Sequence, residues 1–172
     1  MRKISVKSFF RINLKQMMFA ILMGSLALTV RNLGLYFIVY YPYRIDPRWV
    51  FSLLGACWTG PIGGLMCGFL AAMKYPFPLR DLACIPVHFI IGLTSWLLIW
   101  HNRKCLYACF LWPILGVPSY WLASLVVMPA EATILLVQFL AFIGISTGSL
   151  AFAVGLAVEK RAKYLLSLLG TY

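Results

Sequence analysis

The residues that could do chemistry are few in this chain, and their types suit binding better than catalysis. Of its 172 residues only four are acidic and two are histidines, His88 and His101. Acid–base or nucleophilic catalysis needs titratable groups that converge on one point. The sequence holds no paired-carboxylate motif, no HExxH and no CxxC. We therefore expect neither an enzyme nor a bound cofactor.

The five cysteines have a plainer interpretation. Their number is odd and all lie in apolar segments, which is not the pattern of a disulfide framework. No histidine or carboxylate stands beside them at the spacing of metal ligands. We expect small buried hydrophobic residues and no metal site at Cys57, Cys67, Cys84, Cys105 and Cys109.

Aromatic residues are concentrated in the segment 36–49, YFIVYYPYRIDPRW, together with two arginines, one aspartate and two prolines. One interpretation is an interfacial belt of the kind that tyrosine and tryptophan form in membranes. The other is a lid over a binding cavity, in which Tyr41, Tyr43 and Trp49 would stack on a planar ligand. Arg48 or Arg44 could pair with Asp46.

The elements that must position these residues are membrane helices. The chain is 63% hydrophobic with a mean hydropathy of +0.91, more apolar than a soluble domain of this length needs. Its uncharged runs have the length of helices rather than of barrel strands. The fold class predicted is an all-α integral membrane protein, a six-helix bundle in a single domain spanning 1–172. The helices are expected at about 17–40, 47–59, 61–73, 82–100, 105–128 and 133–158, after a basic amphipathic lead-in over 1–16.

The second and third helices are predicted from one uncharged run that is interrupted at Gly60-Pro61. Proline lacks a backbone N–H and clashes with the preceding turn, so a helix tends to break there. Gly60, Gly64 and Gly68 follow at intervals of four and form a face where another helix can pack closely. The alternative is one crossing with a proline kink.

Positive charges favour the interpretation in which the run enters the membrane and returns. With that path, ten basic residues lie on the side of both termini and four on the other, whereas a single crossing gives seven and seven. The positive-inside rule selects the uneven split and places both termini in the cytoplasm. The net charge of +11 is thereby assigned to the membrane rather than to nucleic acid. Arg31 is left at membrane depth, where it faces a cavity or reaches the headgroups.

The arrangement resembles the S components of energy-coupling factor transporters. The resemblance is carried by the basic N-terminus, the small residues Ala20 and Gly24, the long loop and the segment LLG…GPIGGLMCGFLAAM. It implies a substrate-capture subunit in the plasma membrane that binds a vitamin-like heterocycle on the outer side. The partners implied are a transmembrane T component, docked on Ala20 and Gly24, and two ATPases. The alternative is a membrane-embedded sensor or a structural subunit of a larger complex.

The resemblance also implies which later residues would line the site. The loop before the broken helix would be the gate. If Arg31 faces the cavity rather than the headgroups, it would belong to the same site. The side chains expected to complete the site are His88, Trp96, Tyr120, Trp121 and Gln138. The region CIPVHFIIG carries no acid, which argues against a thiamin-type ligand.

Overall fold

The structure, a computed structural model, describes residues 12–40, 43–73, 79–127 and 134–167. Its elements in order are α1 (Leu14–Asn32), β1 (Phe37–Tyr40), β2 (Tyr43–Ile45), α2 (Pro47–Ala72), α3 (Leu79–Leu82), α4 (Ile85–Trp100), a 3₁₀ segment (Cys105–Phe110), a π segment (Trp112–Gly116), α5 (Val117–Val127) and α6 (Ile134–Ser167). Among the described residues, four helical stretches have the total length and apolar composition to cross a membrane, namely Leu14–Asn32, Pro47–Ala72, Cys105–Val126 and Val137–Ala162, although the second is broken at Gly60. The predominance of apolar helices agrees with an all-α membrane protein.

Helix α1 starts at a capping box and ends earlier than predicted. The Asn13 side chain accepts a hydrogen bond from the Gln16 backbone N–H at 2.7 Å, and the Gln16 side chain accepts one from the Asn13 N–H at 3.1 Å. The helix ends at Asn32 rather than Tyr40, because Gly34 adopts φ +65° and the chain then becomes extended. One face is buried and the opposite face, which includes Met18 and Leu22, is apolar and exposed. That exposure is what lipid contact requires.

A short antiparallel hairpin replaces the predicted end of the first helix, at β1, and part of the predicted loop, at β2. Strand β1 pairs with β2, with Phe37 opposite Ile45 and Ile38 opposite Arg44. The run FIVY combines aromatic and β-branched residues, which favour a strand. The fold is therefore not purely helical, since this hairpin is inserted between α1 and α2.

Helix α2 is broken at Gly60 and folds back on itself. Gly60 has φ +79° and ψ −164°, which is accessible in practice only to glycine, and Pro61 follows. A Cβ placed on Gly55 would lie 2.5 Å from the Cys67 Sγ, and one on Gly64 would lie 3.2 Å from the Ala56 Cβ. Gly55 and Cys67 are twelve residues apart in sequence, and in a continuous helix they would lie about 18 Å apart. The stretch is therefore a hairpin of two arms, 47–59 and 61–72, as the break at Gly60 predicted.

The α2 hairpin enters the bundle without reaching the far end. A Cβ on Gly92 would lie 2.3 Å from the Gly60 carbonyl oxygen, so the tip of the hairpin lies level with the middle of α4. From Gly92 to Trp100 the helix continues for about 12 Å. Each arm is about 18–20 Å long, whereas the hydrocarbon core of a bilayer is about 30 Å thick. The hairpin is therefore buried in protein, and each of its arms is shorter than the hydrocarbon core.

The second half of the chain packs as an antiparallel pair. The segment that was predicted as one helix over 105–128 begins as a 3₁₀ turn and continues through a π turn into α5. Pro113 and Pro118 explain the irregularity, because neither can donate the regular helical hydrogen bond. Gly148 of α6 comes close enough that a Cβ there would lie 3.0 Å from the Cys109 carbonyl oxygen. The last helix extends to Ser167, beyond the predicted end at 158, with an irregular residue at Ala162.

These contacts give the bundle two distinct ends. The first is the Arg31 end, where the last turn of α1 lies beside both ends of α2. Arg31 contacts Ala71 in the last turn of α2 and Asp81, and Asp81 also contacts Arg48 in the first turn of α2. At the opposite end, which we call the Arg103 end, α1 starts, α4 ends and the 3₁₀ segment starts. The late part of α6 lies there as well, since Cys105 contacts Glu159.

Candidate functional site

A buried cluster of charges occupies the Arg31 end. The Asp81 carboxylate joins two arginines from different elements, since Oδ2 pairs with Arg31 Nη2 and Oδ1 lies 3.1 Å from Arg48 Nη2. Arg31 Nη1 also donates to the Ala71 carbonyl oxygen at 3.0 Å. Both guanidinium groups and the carboxylate are less than 10% exposed. One carboxylate therefore ties together the end of α1, the start of α2 and α3.

Asp46 completes the cluster from the base of the β-hairpin. Its Oδ1 accepts a hydrogen bond from the Arg48 backbone N–H at 3.0 Å and so caps α2, a position where a carboxylate is favourable. Its Oδ2 lies 2.7 Å from Arg48 Nε. That contact is an ion pair without an aligned hydrogen bond, because the buried Nε–H has no hydrogen-bond partner among the described residues. Burial raises the pKa of Asp46, and the positive charge of Arg48 offsets part of that rise.

The cluster carries no net charge, because its two arginines face two aspartates. Buried ions are costly unless they are paired and hydrogen-bonded. Here each guanidinium contacts a carboxylate, and Arg31 also has a backbone oxygen. The interpretation of Arg31 as a residue that reaches the headgroups does not hold, since its side chain points into the protein and is 8% exposed.

An aromatic layer lies next to the charges. The Arg48 guanidinium carbon is 4.2 Å from the centroid of the Trp49 ring, a cation–π distance. The Trp49 ring lies 4.8 Å from Trp112 and 5.5 Å from His88, centroid to centroid, and His88 lies 5.3 Å from Trp112. Three rings from α2, α4 and the π segment thus form one packed group, which we call the aromatic triad.

Hydrogen bonds fix the His88 ring within the triad. Its Nδ1 is 2.8 Å from the Cys84 carbonyl oxygen, which can only accept, so Nδ1 carries the proton. In the neutral ring Nε2 then accepts from the Ser52 hydroxyl at 2.9 Å. The distance equals that between a nucleophilic serine and its base, but Ser52 and His88 are both 0% exposed. The contact therefore orients and packs the ring rather than activating a nucleophile.

The structure brings only some of the predicted ligand residues together. Arg31, Trp49 and His88 belong to the charged cluster and the adjoining triad. Trp96 lies elsewhere, with its ring 6.1 Å from Trp100 near the Arg103 end. Gln138 is exposed on α6.

The remaining predicted residues fall on α5 or outside the described part. Tyr120 packs against the buried core and Trp121 is half-buried. The Trp121 indole N–H is buried and has no hydrogen-bond partner in the described part of the chain. Tyr41 lies outside the described residues, as does the side chain of Tyr43.

Three members of the site, Asp81, Ser52 and Trp112, were not predicted as site residues, and Asp46 and Arg48 were predicted only as a candidate ion pair. Asp81 was assigned to a loop, although a chain with four acids and an arginine at membrane depth needs a carboxylate partner for that arginine. Ser52 has no signal in the sequence, because a serine within an apolar helix is common. The predicted pair of Arg48 with Asp46 is present.

The predicted docking residues Ala20 and Gly24 lie inside the chain. Ala20 is 0% exposed and its carbonyl oxygen accepts from the Cys67 thiol at 3.2 Å. A Cβ on Gly24 would lie 2.9 Å from the Leu70 Cβ. The small-residue face of α1 therefore contacts the second arm of α2 and does not present a free surface to a partner.

The glycine face of α2 contacts α4. A Cβ on Gly64 would lie 2.4 Å from the His88 carbonyl oxygen, and one on Gly68 would lie 2.9 Å from the His88 Cβ. Gly60 has a different role, since nothing lies within 4 Å of its Cβ position and its positive φ makes the turn. The close packing of α2 on α4 holds His88 in the triad.

Comparison with known proteins finds no family model that matches this chain, and no curated protein or solved structure similar to it. Within the residues that the structure describes, no group of three or more histidine, cysteine or acidic side chains is placed to hold a metal ion.

Proposed function

We propose that this chain is the substrate-capture subunit of an ATP-driven importer for a vitamin or a similar micronutrient, as its resemblance to S components implies. The observation that carries the proposal is the charged cluster of Arg31, Arg48, Asp46 and Asp81, buried at one end of an apolar bundle. Charges at such depth are costly and commonly mark the path of a solute. The function makes no covalent change to the ligand.

The connection between the β-hairpin and the cluster supports a gate at this end. Strand β2 leads within two residues into α2, whose N-cap Asp46 and second residue Arg48 both belong to the cluster. A displacement of the hairpin would pull on these ion pairs. The re-entrant α2 hairpin supports the same proposal, since broken helices at membrane depth are tolerated where they are buried or line a cavity.

The aromatic triad and α5 suggest how a planar ligand would be held. Trp49 and Trp112 offer ring faces if the Arg48 guanidinium moves away from Trp49. The indole N–H of Trp121 is a buried donor that an acceptor atom of a ligand could satisfy, and buried donors are normally paired. A heterocycle with a carbonyl or ring nitrogen meets both requirements.

The cellular location of the chain and its orientation in the membrane are part of the same proposal. The chain would be a multi-pass protein of the plasma membrane with six helices, counting the two arms of α2 separately. The Arg103 end and both termini would be cytoplasmic, as the distribution of ten against four basic residues favours. The Arg31 end would then face outward and receive the ligand.

Purification of the tagged full chain from its native membranes in a mild detergent tests the proposal. We expect a transmembrane partner and ATPase subunits to be retained, and a small heterocycle to be released on denaturation and identified by mass spectrometry. An unrelated tagged membrane protein is the control. Retention in a complex without ATPases, and without a small molecule, would instead favour the sensor or structural subunit.

A second measurement tests the site once the ligand is identified. Trp121→Phe keeps one aromatic ring and removes the N–H donor together with the second ring of the indole, as Trp96→Phe does at the control position. A hydrogen bond contributes about 0.5–1.5 kcal/mol, so affinity should fall by about 2- to 13-fold. Trp96→Phe, in a helix near the other end, is the matched control and should bind like wild type. Equal affinity for both variants would remove Trp121 from the site.

A further inference from the structure

Four of the exposed cations at the Arg103 end come from two segments that are far apart in sequence. Arg103 and Lys104 lie in the turn after α4, and Lys160 and Arg161 lie in α6. We call these four residues the basic patch. The Cys105 Sγ lies 3.8 Å from Glu159 Oε1, so the neighbours of Lys104 and Lys160 are in contact.

The turn that carries half of the patch has a defined backbone. The Arg103 N–H donates to the Leu98 carbonyl oxygen at 2.7 Å, and the Asn102 N–H donates to Ile99 at 3.0 Å. Asn102 has φ +55°, the left-handed conformation that closes a Schellman cap. Arg103 and Lys104 therefore follow a closed helix end at a fixed position, which lowers the cost of ordering them on binding.

No ion pair neutralises the patch within the part of the chain that the structure describes, where the paired cations are Arg31 and Arg48 at the opposite end. Of the acids among the described residues, only Glu159 lies beside the patch, and it is turned toward the Cys105 thiol. Four cations beside one acid leave a net positive surface that attracts anions.

An aromatic surface continues from the patch along the bundle. Tyr107 is 48% exposed, and its ring stacks on Phe152 at 5.6 Å with an interplanar angle of 19°. The Phe110 ring lies 5.0 Å from the Phe152 ring, centroid to centroid. Trp100, at the end of α4, is 49% exposed. Tyrosine and tryptophan beside basic residues are typical of the level of the lipid headgroups. Apolar area thus lies directly next to the cations.

We propose that the basic patch and this aromatic surface bind an anionic phospholipid. The lipid phosphate lies among Arg103, Lys104, Lys160 and Arg161, and an acyl chain lies along Tyr107, Phe110 and Phe152. The adjoining apolar surface favours a lipid over an acidic protein, because a headgroup and a chain together satisfy both halves of the surface.

Native mass spectrometry of the full chain in a neutral detergent tests the inference. The probes are phosphatidylglycerol and phosphatidylcholine with the same acyl chains, titrated separately. We expect phosphatidylglycerol to bind more tightly. Lys104→Gln and Lys160→Gln should each weaken its binding by about fivefold, because one basic side chain near an anionic surface contributes about that factor. Lys15→Gln, an exposed lysine at the start of α1 and at the same end, should have little effect.

Each other outcome would overturn the inference in a recognisable way. An equal loss in Lys15→Gln would mean that only general surface charge attracts the lipid. Both lipids carry a phosphate, and only phosphatidylglycerol has a net negative headgroup. Equal binding of the two would therefore mean that the patch does not select the net charge of the headgroup. Glycerol 3-phosphate that displaces the lipid at equal concentration would show a simple anion site without a chain contact. If Lys104→Gln binds the lipid as the wild type does but no longer retains a protein partner, the patch is a protein interface instead.

Discussion

Replacing Gly64 by alanine should force α2 and α4 apart. The new Cβ would lie 2.4 Å from the His88 carbonyl oxygen, whereas ordinary contact begins at 3.4 Å. Backbone cannot rotate away as a side chain can, so one helix must move by about 1 Å. A gap of that size removes about a quarter to a half of the dispersion energy of the contacts across it. Overpacking of this kind costs about 1–3 kcal/mol.

The same face provides a graded comparison. Gly68→Ala meets the His88 Cβ and ring at 2.9 Å, so about 0.5 Å of movement is enough and the loss should be smaller. Leu65→Ala, at an exposed position on the same arm, is the control for handling and expression. The assay is the free energy of unfolding in mixed micelles, measured by denaturant titration with circular dichroism. If Gly64→Ala unfolds at the wild-type midpoint while Leu65→Ala is normal, the close packing of α2 on α4 is wrong.

Three further predictions follow from the fold. Asp81→Asn should lower the free energy of unfolding by about 3–5 kcal/mol in the same titration, because it leaves Arg31 and Arg48 buried with one carboxylate between them; a change under 1 kcal/mol would mean that the cluster is solvated. The Sγ atoms of Cys57 and Cys109 lie 3.5 Å apart, so iodine should oxidise the two thiols to a disulfide. Each thiol loses one electron and one proton, and iodine is reduced to two iodide ions. The intact mass should fall by about 2 Da, Cys57→Ser should abolish that change and Cys67→Ser should not; a disulfide that persists in Cys57→Ser would contradict the pairing. Cysteine placed at Asn102 or Thr171 should resist a membrane-impermeant thiol reagent applied to intact cells, and ready labelling of either would reverse the topology.

Local features of the fold could be predicted because the residues involved permit few alternatives. Gly60-Pro61 breaks a helix in almost any context, since proline removes a donor and glycine alone adopts the conformation found there. The capping residue Asp46 and its partner Arg48 are neighbours in sequence, so their pairing needed no tertiary information. The glycines at intervals of four marked a face for close packing in the same way.

The less accurate predictions concern residues whose role depends on distant partners. Ala20 and Gly24 have the spacing of an interhelical contact, but spacing does not identify the other helix, and in the structure it is α2 of the same chain. Trp96 and Gln138 were grouped with His88 because the resemblance to S components implies a site lined by the later helices. The rotation of each helix, which periodicity barely defines when all faces are apolar, places them elsewhere.

The sequence by itself determined that the chain is apolar enough for a membrane, where its helices break and how its positive charges are distributed. Each of these properties follows from composition or from the stereochemistry of neighbouring residues. Only the tertiary structure decided that Arg31, Arg48 and Asp81 meet, that His88 is held between Ser52 and the Cys84 carbonyl, and that the basic patch is assembled from two segments. Those contacts join residues up to 54 positions apart, as between Cys105 and Glu159. They exist because helix packing brings the elements together, and no local pattern contains that information.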